Sequence, residues 1–244
     1  MSPVYVVLNR ELSSYFATPV AYIFIIIFLT LSGVFTFYLG HFFERGQADL
    51  SSFFNFIPWL YLVLVPSVAM RLWSEERRSG TIELLMTLPV TTMQLVLAKF
   101  LAAWLFIGLA LLLTFPLWLT VNYLGDPDNG VILAGYLGAW LMAGGFLAIG
   151  SCLSALTKNQ IIAFILTLVV CFVLVMSGFP IVQDVFSDWA PQWVVDGLSS
   201  LSFLTHFDAI SRGVIDLRDI VYFVVLITAW LYATVLAINL KKAD

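Results

Sequence analysis

Two adjacent glutamates, Glu75 and Glu76, are the residues of this 244-residue chain whose types and spacing come nearest to a catalytic pair. Paired carboxylates can share the roles of general acid and general base, or bind a metal ion together with histidines. The chain has two histidines, His41 and His206, which are distant from the glutamates and from each other in the sequence. Each histidine is expected to be a satisfied surface residue.

The common motifs of hydrolytic and nucleotide-binding sites do not occur in the sequence. There is no G-x-x-x-x-G-K-[ST] run to cradle phosphates, so the chain is not expected to bind ATP in the P-loop manner. There is no G-x-S-x-G and no H-E-x-x-H run either. Cys152 and Cys171 both lie in apolar stretches and indicate neither a disulfide framework nor a metal site. We therefore expect no catalytic residue, cofactor or metal in this chain.

The elements that would position any site are helices that cross a membrane. Hydrophobic residues make up 61% of the chain and charged residues 11%, whereas soluble domains have about 25% charged residues. A helical span needs about 20 mostly apolar residues. The predicted fold is therefore an all-α integral membrane protein, with residues 1–244 forming a single transmembrane domain. Its six predicted spans are at about 20–41, 53–72, 95–124, 131–156, 160–178 and 220–240.

The distribution of charge predicts the orientation of these spans, because basic residues concentrate on the cytoplasmic side of membrane proteins. One side is assigned the N-terminus, the segment 71–99, the loop at Lys158 and the C-terminus. That side then holds eight of the eleven basic residues, namely Arg10, Arg71, Arg77, Arg78, Lys99, Lys158, Lys241 and Lys242. Both termini are therefore predicted to be cytoplasmic. The excess of acidic over basic residues is predicted to lie on the external side, and no nucleic-acid partner is expected.

Three other stretches have recognisable patterns. Residues 3–17 place apolar side chains on one arc of a helix and polar ones on the other, which predicts an amphipathic helix lying on the inner leaflet. Residues 179–219 mix prolines and aromatic residues with aspartates, which predicts short external helices that dip back into the outer interface. In the fourth span, glycines such as Gly135 and Gly144 allow close helix approach, either within the chain or at a dimer seam.

The segment 74–92, between spans 2 and 3, is where charge is densest. Span 2 is predicted to continue past the membrane until Gly80 ends the helix. Thr81 can then cap a new short helix that has Glu83 in its first turn and stops at Pro89. Thr91 and Gln94 have the spacing of a capping box and would restart the chain as span 3. The short helix carries too many apolar residues for a free loop and needs a groove to bury them.

The run from Glu76 to Pro89 resembles the cytoplasmic signature of ABC-2 type permeases, the membrane subunits of a class of ABC transporters. Two further stretches narrow the resemblance. Arg10-Glu11-Leu12 with residues 15–22, and the run Gly213–Asp219, resemble the branch typified by the gliding-motility permease GldF. The nitrous-oxide-reductase maturation permease NosY is also similar.

The resemblance implies a bacterial inner-membrane permease that acts as a homodimer or heterodimer on two separate ATPase subunits, which bind the ATP and Mg²⁺. The segment 74–92 would be a coupling helix seated in the ATPase, and residues 3–17, with Arg10 and Glu11, a connecting helix. ATP hydrolysis would drive export or mechanical signalling, in some cases with an extracytoplasmic auxiliary subunit. The implied ATPase-coupling interface comprises Glu75, Glu76, Arg77, Arg78, Gly80, Thr81, Glu83, Leu84, Leu85, Met86, Leu88 and Pro89.

Two alternative functions stay open. The doubled glutamate followed by arginine also resembles intramembrane CAAX-type metalloproteases, but that family needs histidines on neighbouring cytoplasmic-side helices. His41 and His206 are predicted on the other side of the membrane. A passive channel or scaffold is the second alternative, although ion paths normally display ionisable groups within the membrane and the predicted spans lack such clusters.

Overall fold

The computed structural model describes residues 3–86, 90–187 and 191–240, and within these ranges the regular structure is helical. The first helices are α1 (Pro3–Phe16), α2 (Pro19–Val34), α3 (Phe42–Arg45), α4 (Ser51–Ala69), α5 (Arg71–Ser79), α6 (Thr81–Met86) and α7 (Thr92–Leu112). They are followed by α8 (Phe115–Leu124), α9 (Asn129–Leu156), α10 (Gln160–Met176), α11 (Pro180–Ser187), α12 (Gln192–Ser200), α13 (Phe203–Ser211) and α14 (Leu217–Leu240). A π-helical turn, Phe35–Leu39, extends α2.

In the described part of the chain, five helical stretches are long and apolar enough to cross a membrane. They are Pro19–Leu39, Ser51–Ser79, Thr92–Leu124, Asn129–Leu156 and Leu217–Leu240. The apolar helix α10 is shorter, with 17 residues. The chain is thus an all-helical, multi-pass membrane protein, and a sixth crossing at 160–178 stays a prediction.

Two of the long stretches are interrupted. The helix that begins with α4 bends at Met70 before it continues as α5. The stretch 92–124 is divided at Leu113–Thr114, just before Pro116, which has no backbone N–H to donate. The Thr114 hydroxyl lies 2.6 Å from the carbonyl oxygen of Leu111 and 2.8 Å from the Tyr136 hydroxyl of α9. The second break is therefore tied to α9, which leaves fewer backbone groups unsatisfied in lipid.

Helix α9 is the centre of the bundle and packs against α4, α5, α7, α10, α13 and α14. Its glycines make this close approach possible. A Cβ atom on Gly135 would lie 2.5 Å from the Phe54 ring of α4, and one on Gly144 would lie 2.9 Å from Trp104 of α7. Of the two uses considered for these glycines, the structure shows packing within the chain at both positions.

The two ends of the bundle are named here by the helices they carry. The α5 end carries α1, α5, α6 and the start of α7. The α13 end carries α3, α13 and the starts of α4, α9 and α14.

Candidate functional site

Ser154 of α9 holds the bend between α4 and α5. Its hydroxyl oxygen accepts hydrogen bonds from the backbone N–H groups of Trp73, at 3.1 Å, and Ser74, at 3.0 Å. The same hydroxyl donates to the carbonyl oxygen of Met70 at 2.8 Å. A serine hydroxyl has one donor and two acceptor positions, so all three are used. One side chain of α9 thus satisfies three backbone groups around the bend.

Two more contacts bind α5 to the same end of α9. The indole N–H of Trp73, a fully buried residue, donates to the Ser151 hydroxyl at 3.0 Å. The guanidinium of Arg77 donates to the carbonyl oxygen of Ala155 at 2.6 Å. Because these contacts lie on successive turns of α5, the helix is attached to the bundle from Trp73 to Arg77.

Lys99 of α7 is the centre of an ionic cluster at this end. Its side chain is 4% exposed, and its Nζ lies 2.9 Å from Oε1 of Glu76 and 3.2 Å from Oε2 of Glu11. The Trp73 ring covers it, with its centroid 5.6 Å from Nζ. The other carboxylate oxygen of Glu76 accepts a hydrogen bond from the Thr81 hydroxyl. We call these residues, Glu11, Glu76, Thr81 and Lys99, the Lys99 cluster; it joins α1, α5, α6 and α7.

The helix ends around the cluster form where the sequence predicts them, with one difference at Thr81. Gly80 ends α5 with a φ of +73°, a left-handed conformation that glycine adopts without steric cost, so its predicted role is confirmed. The capping box is also confirmed, because the Thr91 hydroxyl accepts from the N–H of Gln94 and the Gln94 side chain accepts from the N–H of Thr91. Thr81, expected to be a cap, is instead the first residue of α6 and bonds Glu76.

The structure divides the proposed interface residues into two groups. Glu76 and Arg77 point into contacts of the protein itself. Arg78 and Glu83 are exposed. Glu75 is also exposed and pairs with Arg71 at 3.2 Å. The backbone of Leu84, Leu85 and Met86 lies in α6, and Leu88 and Pro89 lie outside the described residues.

Sequence reasoning missed the residues that connect this segment to the bundle, namely Lys99, Trp73, Ser151 and Ser154. Lys99 counts in the sequence only as a basic residue that sets orientation, although its position inside the predicted span 95–124 was a signal, because ionisable residues within spans are commonly paired. The serines near the end of an otherwise apolar helix were the other available signal, since serine hydroxyls can satisfy backbone groups freed at a bend.

Neither histidine is near the paired glutamates. His41 precedes α4 and pairs with Glu44 at 2.9 Å, so it lies at the opposite end of α4 from Glu75. His206 is in α13. No group of three or more histidine, cysteine, aspartate or glutamate residues suited to a metal ion was found in the described ranges. Glu75 and Glu76 therefore have basic and hydroxyl partners rather than a histidine neighbour.

His206 was expected at the surface, and that expectation is wrong. The residue is 7% exposed. Its Nδ1 lies 2.6 Å from Oδ1 of Asp219, in the first turn of α14, and its Nε2 lies 3.0 Å from the carbonyl oxygen of Ser200. The imidazole also stacks on Tyr222 with ring centroids 4.0 Å apart. These contacts hold α13 over the start of α14.

The bundle and this site define a class of protein: a multi-pass membrane protein whose charged helix–turn–helix segment is fixed to the bundle by buried contacts. A family model for the ABC-2 family transporter proteins matches residues 18–240, which is most of the chain. The chain therefore belongs to the ABC-2 transporter family, whose members are membrane components of ABC transporters. No curated protein matches its sequence.

Proposed function

We propose that this chain is the permease subunit of an ABC transporter and transmits the ATP hydrolysis of a separate ATPase subunit into the membrane. In this proposal α5 and α6 form the coupling segment, seated in a cleft of the ATPase. Helix α1 is the connecting helix, and the α5 end faces the cytoplasm. The ATPase supplies the ATP and Mg²⁺ sites, and this chain supplies no catalytic group.

The Lys99 cluster is the observation that carries the proposal. A force applied to α6 reaches Glu76 through the hydroxyl of Thr81, and Glu76 passes it to α7 through Lys99. The same lysine holds Glu11, so α1 moves with α5 and α7. Because ion pairs and hydrogen bonds of this kind resist separation when buried, the four helices can respond as a unit.

Ser154 and Ser151 extend that path into the middle of the bundle. Both residues are on α9, which packs against six other helices, and both bind α5 directly. A tilt of α5 would therefore displace α9 first, rather than a peripheral helix. Rigid-body motion of packed helices is a common way for such a displacement to cross a membrane.

The assembly and the branch belong to the same proposal. We expect two permease copies on two ATPases, as a homodimer or heterodimer in a bacterial inner membrane. The GldF-like resemblance of the ends of the chain favours a system in which an extracytoplasmic subunit is attached. The ATPase cycle would then drive export or move that subunit.

The test uses the complex co-purified with its ATPase and measures the permease-dependent change in ATP hydrolysis. Glu83→Arg reverses an exposed charge of α6, and Gly80→Val strains the turn between α5 and α6. We expect each to reduce the permease-dependent change by about tenfold, which corresponds to 1.4 kcal/mol of coupling.

Two matched variants at the other end of the bundle serve as controls. Gly46 also has a positive φ, +61°, with no atom within 4 Å of an added Cβ, so Gly46→Val imposes the same local strain as Gly80→Val. Glu44→Arg reverses an exposed charge as Glu83→Arg does. Equal effects of Gly80→Val and Gly46→Val, or a Glu83→Arg complex with normal hydrolysis, would contradict the proposed coupling.

The orientation is tested separately with an impermeant thiol reagent on intact cells. Ser79→Cys, at the exposed end of α5, should be protected until the cells are opened. Asn122→Cys, exposed near the end of α8, should react from outside. The reverse pattern would place α5 and α6 outside, where no cytoplasmic ATPase could reach them.

A further inference from the structure

An apolar groove opens on the membrane-facing surface beside α2, at the α5 end. Its volume is about 480 Å³, within the range of small-molecule binding sites. Its floor consists of buried side chains that include Phe24, Val68 and Phe106, and its wall is formed by exposed residues of α2 such as Ile23 and Ile27. The lining of the groove is therefore mostly apolar, with Thr18, Ser67, Arg71 and Gln160 as its polar members.

A second, polar cavity of about 220 Å³ adjoins the groove. The two share Tyr15, Thr18 and Arg71 in their linings. The Tyr15 ring stacks on Phe106 with centroids 5.1 Å apart, which fixes the boundary between the apolar and the polar part. Together the two cavities form one site. The groove is its apolar part, and the polar cavity at the α5 end is its charged mouth. Such a site is complementary to an amphiphile whose polar group lies at the α5 end.

The charged side chains of the mouth differ in how readily they could bind a ligand. Lys99 is buried and is committed to Glu11 and Glu76. The Arg71–Glu75 pair is open, because the side chains are 37% and 52% exposed and only Nε of the five-donor guanidinium contacts Glu75. An exposed pair of this kind is worth about 1 kcal/mol or less. Arg71 and Glu75 can therefore give up their mutual ion pair, and each can bind a charged group of a ligand instead.

We propose that the site binds a phospholipid of the bilayer with a phosphoethanolamine headgroup. An acyl chain fills the groove along α2 and α4, the phosphate accepts hydrogen bonds from Arg71, and the primary ammonium donates to Glu75. Guanidinium groups suit phosphate oxygens because they donate several N–H bonds in one plane. Both charges of the Arg71–Glu75 pair are then matched by the two charges of one ligand.

The charge of the mouth distinguishes this headgroup from the other common ones. The lining of the polar cavity has three carboxylates, Glu11, Glu75 and Glu76, against two cations, Arg71 and Lys99, so an anionic headgroup would meet an excess of one negative charge. A choline headgroup carries the positive charge but has no N–H to donate to Glu75. The proposal concerns binding by this chain alone and does not depend on an ATPase partner.

Native mass spectrometry of the full chain in detergent tests it, with dioleoyl phosphatidylethanolamine, phosphatidylcholine and phosphatidylglycerol as probes. We expect phosphatidylethanolamine to bind about tenfold more tightly than the other two. Arg71→Gln and Glu75→Gln should each remove that preference, and Ser67→Phe, which fills the groove below the mouth, should weaken all three lipids. The matched control is Lys158→Gln, which removes an exposed cation that lines neither cavity.

Three outcomes would overturn the proposal. Equal binding of the three lipids would show that the mouth does not select a headgroup. Tighter binding of phosphatidylglycerol would show that Arg71 acts as a simple cationic site. Efficient disulfide formation between two copies carrying Ile23→Cys, together with no bound lipid, would show that the groove is covered by a second copy of the chain.

Discussion

The Nζ atom of Lys99 lies 2.9 Å from Oε1 of Glu76, although the two residues are 23 positions apart on different helices. The lysine sits in the third turn of α7, where Glu11 of α1 also reaches it. One buried cation thus faces two carboxylates that are 17% and 22% exposed. The arrangement makes the lysine the partner whose loss should cost most.

Lys99→Met should destabilise the chain by about 2 kcal/mol, because Glu76 loses its counter-charge and Glu11 keeps only the exposed Arg10. The triple variant Lys99→Met, Glu11→Gln, Glu76→Gln should recover much of this loss, since no uncompensated charge is left. Thermal unfolding in detergent measures both. Lys158→Met, which removes an exposed lysine, should change stability little. A triple variant as unstable as the single one would mean that Lys99 contributes through packing rather than charge.

The two serines of α9 should differ in importance. Ser154→Ala leaves two backbone N–H groups without this partner, although the Met70 carbonyl keeps the hydroxyl of Ser74. Ser151→Ala removes only the bond to the Trp73 indole. Each buried polar group left unsatisfied costs about 1–3 kcal/mol. We therefore expect Ser154→Ala to lower the thermal midpoint clearly more than Ser151→Ala. The same loss in both variants would show that the bend does not depend on the Ser154 hydroxyl.

Sequence reasoning found those features of the site that depend on residues close together in the sequence. Gly80 ends α5, and Thr91 with Gln94 starts α7, and in each case the interacting groups are within a few positions of one another. The contacts that it missed join distant residues. Ser154 is 81 positions from Trp73, and Glu11 is 88 positions from Lys99. Such pairs depend on how α5 packs on α9 and α1 on α7, which the hydrophobic pattern of single helices does not specify.

His206 illustrates the same limit at the other end. In the sequence it belongs to a polar-aromatic stretch that predicts an interfacial or external position, and a surface histidine was expected. Its burial results from α13 folding over the start of α14, so that Asp219 and Tyr222 reach it from another helix. The fold class could be predicted because 61% hydrophobic residues in long runs can form little else. The break before Pro116 is also of the kind that a proline in a long apolar helix predicts, whereas the length of α10 could not be predicted.

Asp208, on α13, allows a test of pH dependence. Burial raises the pKa of its carboxyl group above the ordinary value, and the opposing attraction of Arg212, 3.9 Å away, is too weak to cancel this effect. The folded state then holds this proton more firmly than the unfolded state, so stability falls as pH rises through the range between the two pKa values. Above that range the ionised carboxylate is a constant cost to the folded state.

Asp208→Asn should therefore raise the thermal midpoint slightly near pH 7 and leave it unchanged below about pH 3, where the carboxyl is protonated in both states. The effect is small because the side chain is 52% exposed. Thermal unfolding of both proteins across this pH range measures it. A lower midpoint for Asp208→Asn at pH 7 would show that the attraction of Arg212 outweighs the cost of burial.

The His206–Asp219 pair should be a main attachment of α12 and α13 to α14. The carbonyl oxygen of Ser200 can only accept, so Nε2 donates to it, and Nδ1 lies 2.6 Å from Oδ1 of Asp219. His206→Phe keeps the aromatic stacking on Tyr222 but removes both hydrogen bonds, and it leaves a carboxylate that is 10% exposed without a partner. Loss of one member of a buried pair costs about 3 kcal/mol.

Asp219→Asn is the matched variant, because an asparagine amide can still donate to a neutral imidazole at Nδ1. We expect His206→Phe to lower the thermal midpoint strongly and to increase proteolysis between α12 and α13, where the contact with Ser200 is lost. Asp219→Asn should have a much smaller effect on both. The opposite order would indicate that the negative charge of Asp219 at the N-terminus of α14, rather than its bond to His206, is what stabilises this end of the protein.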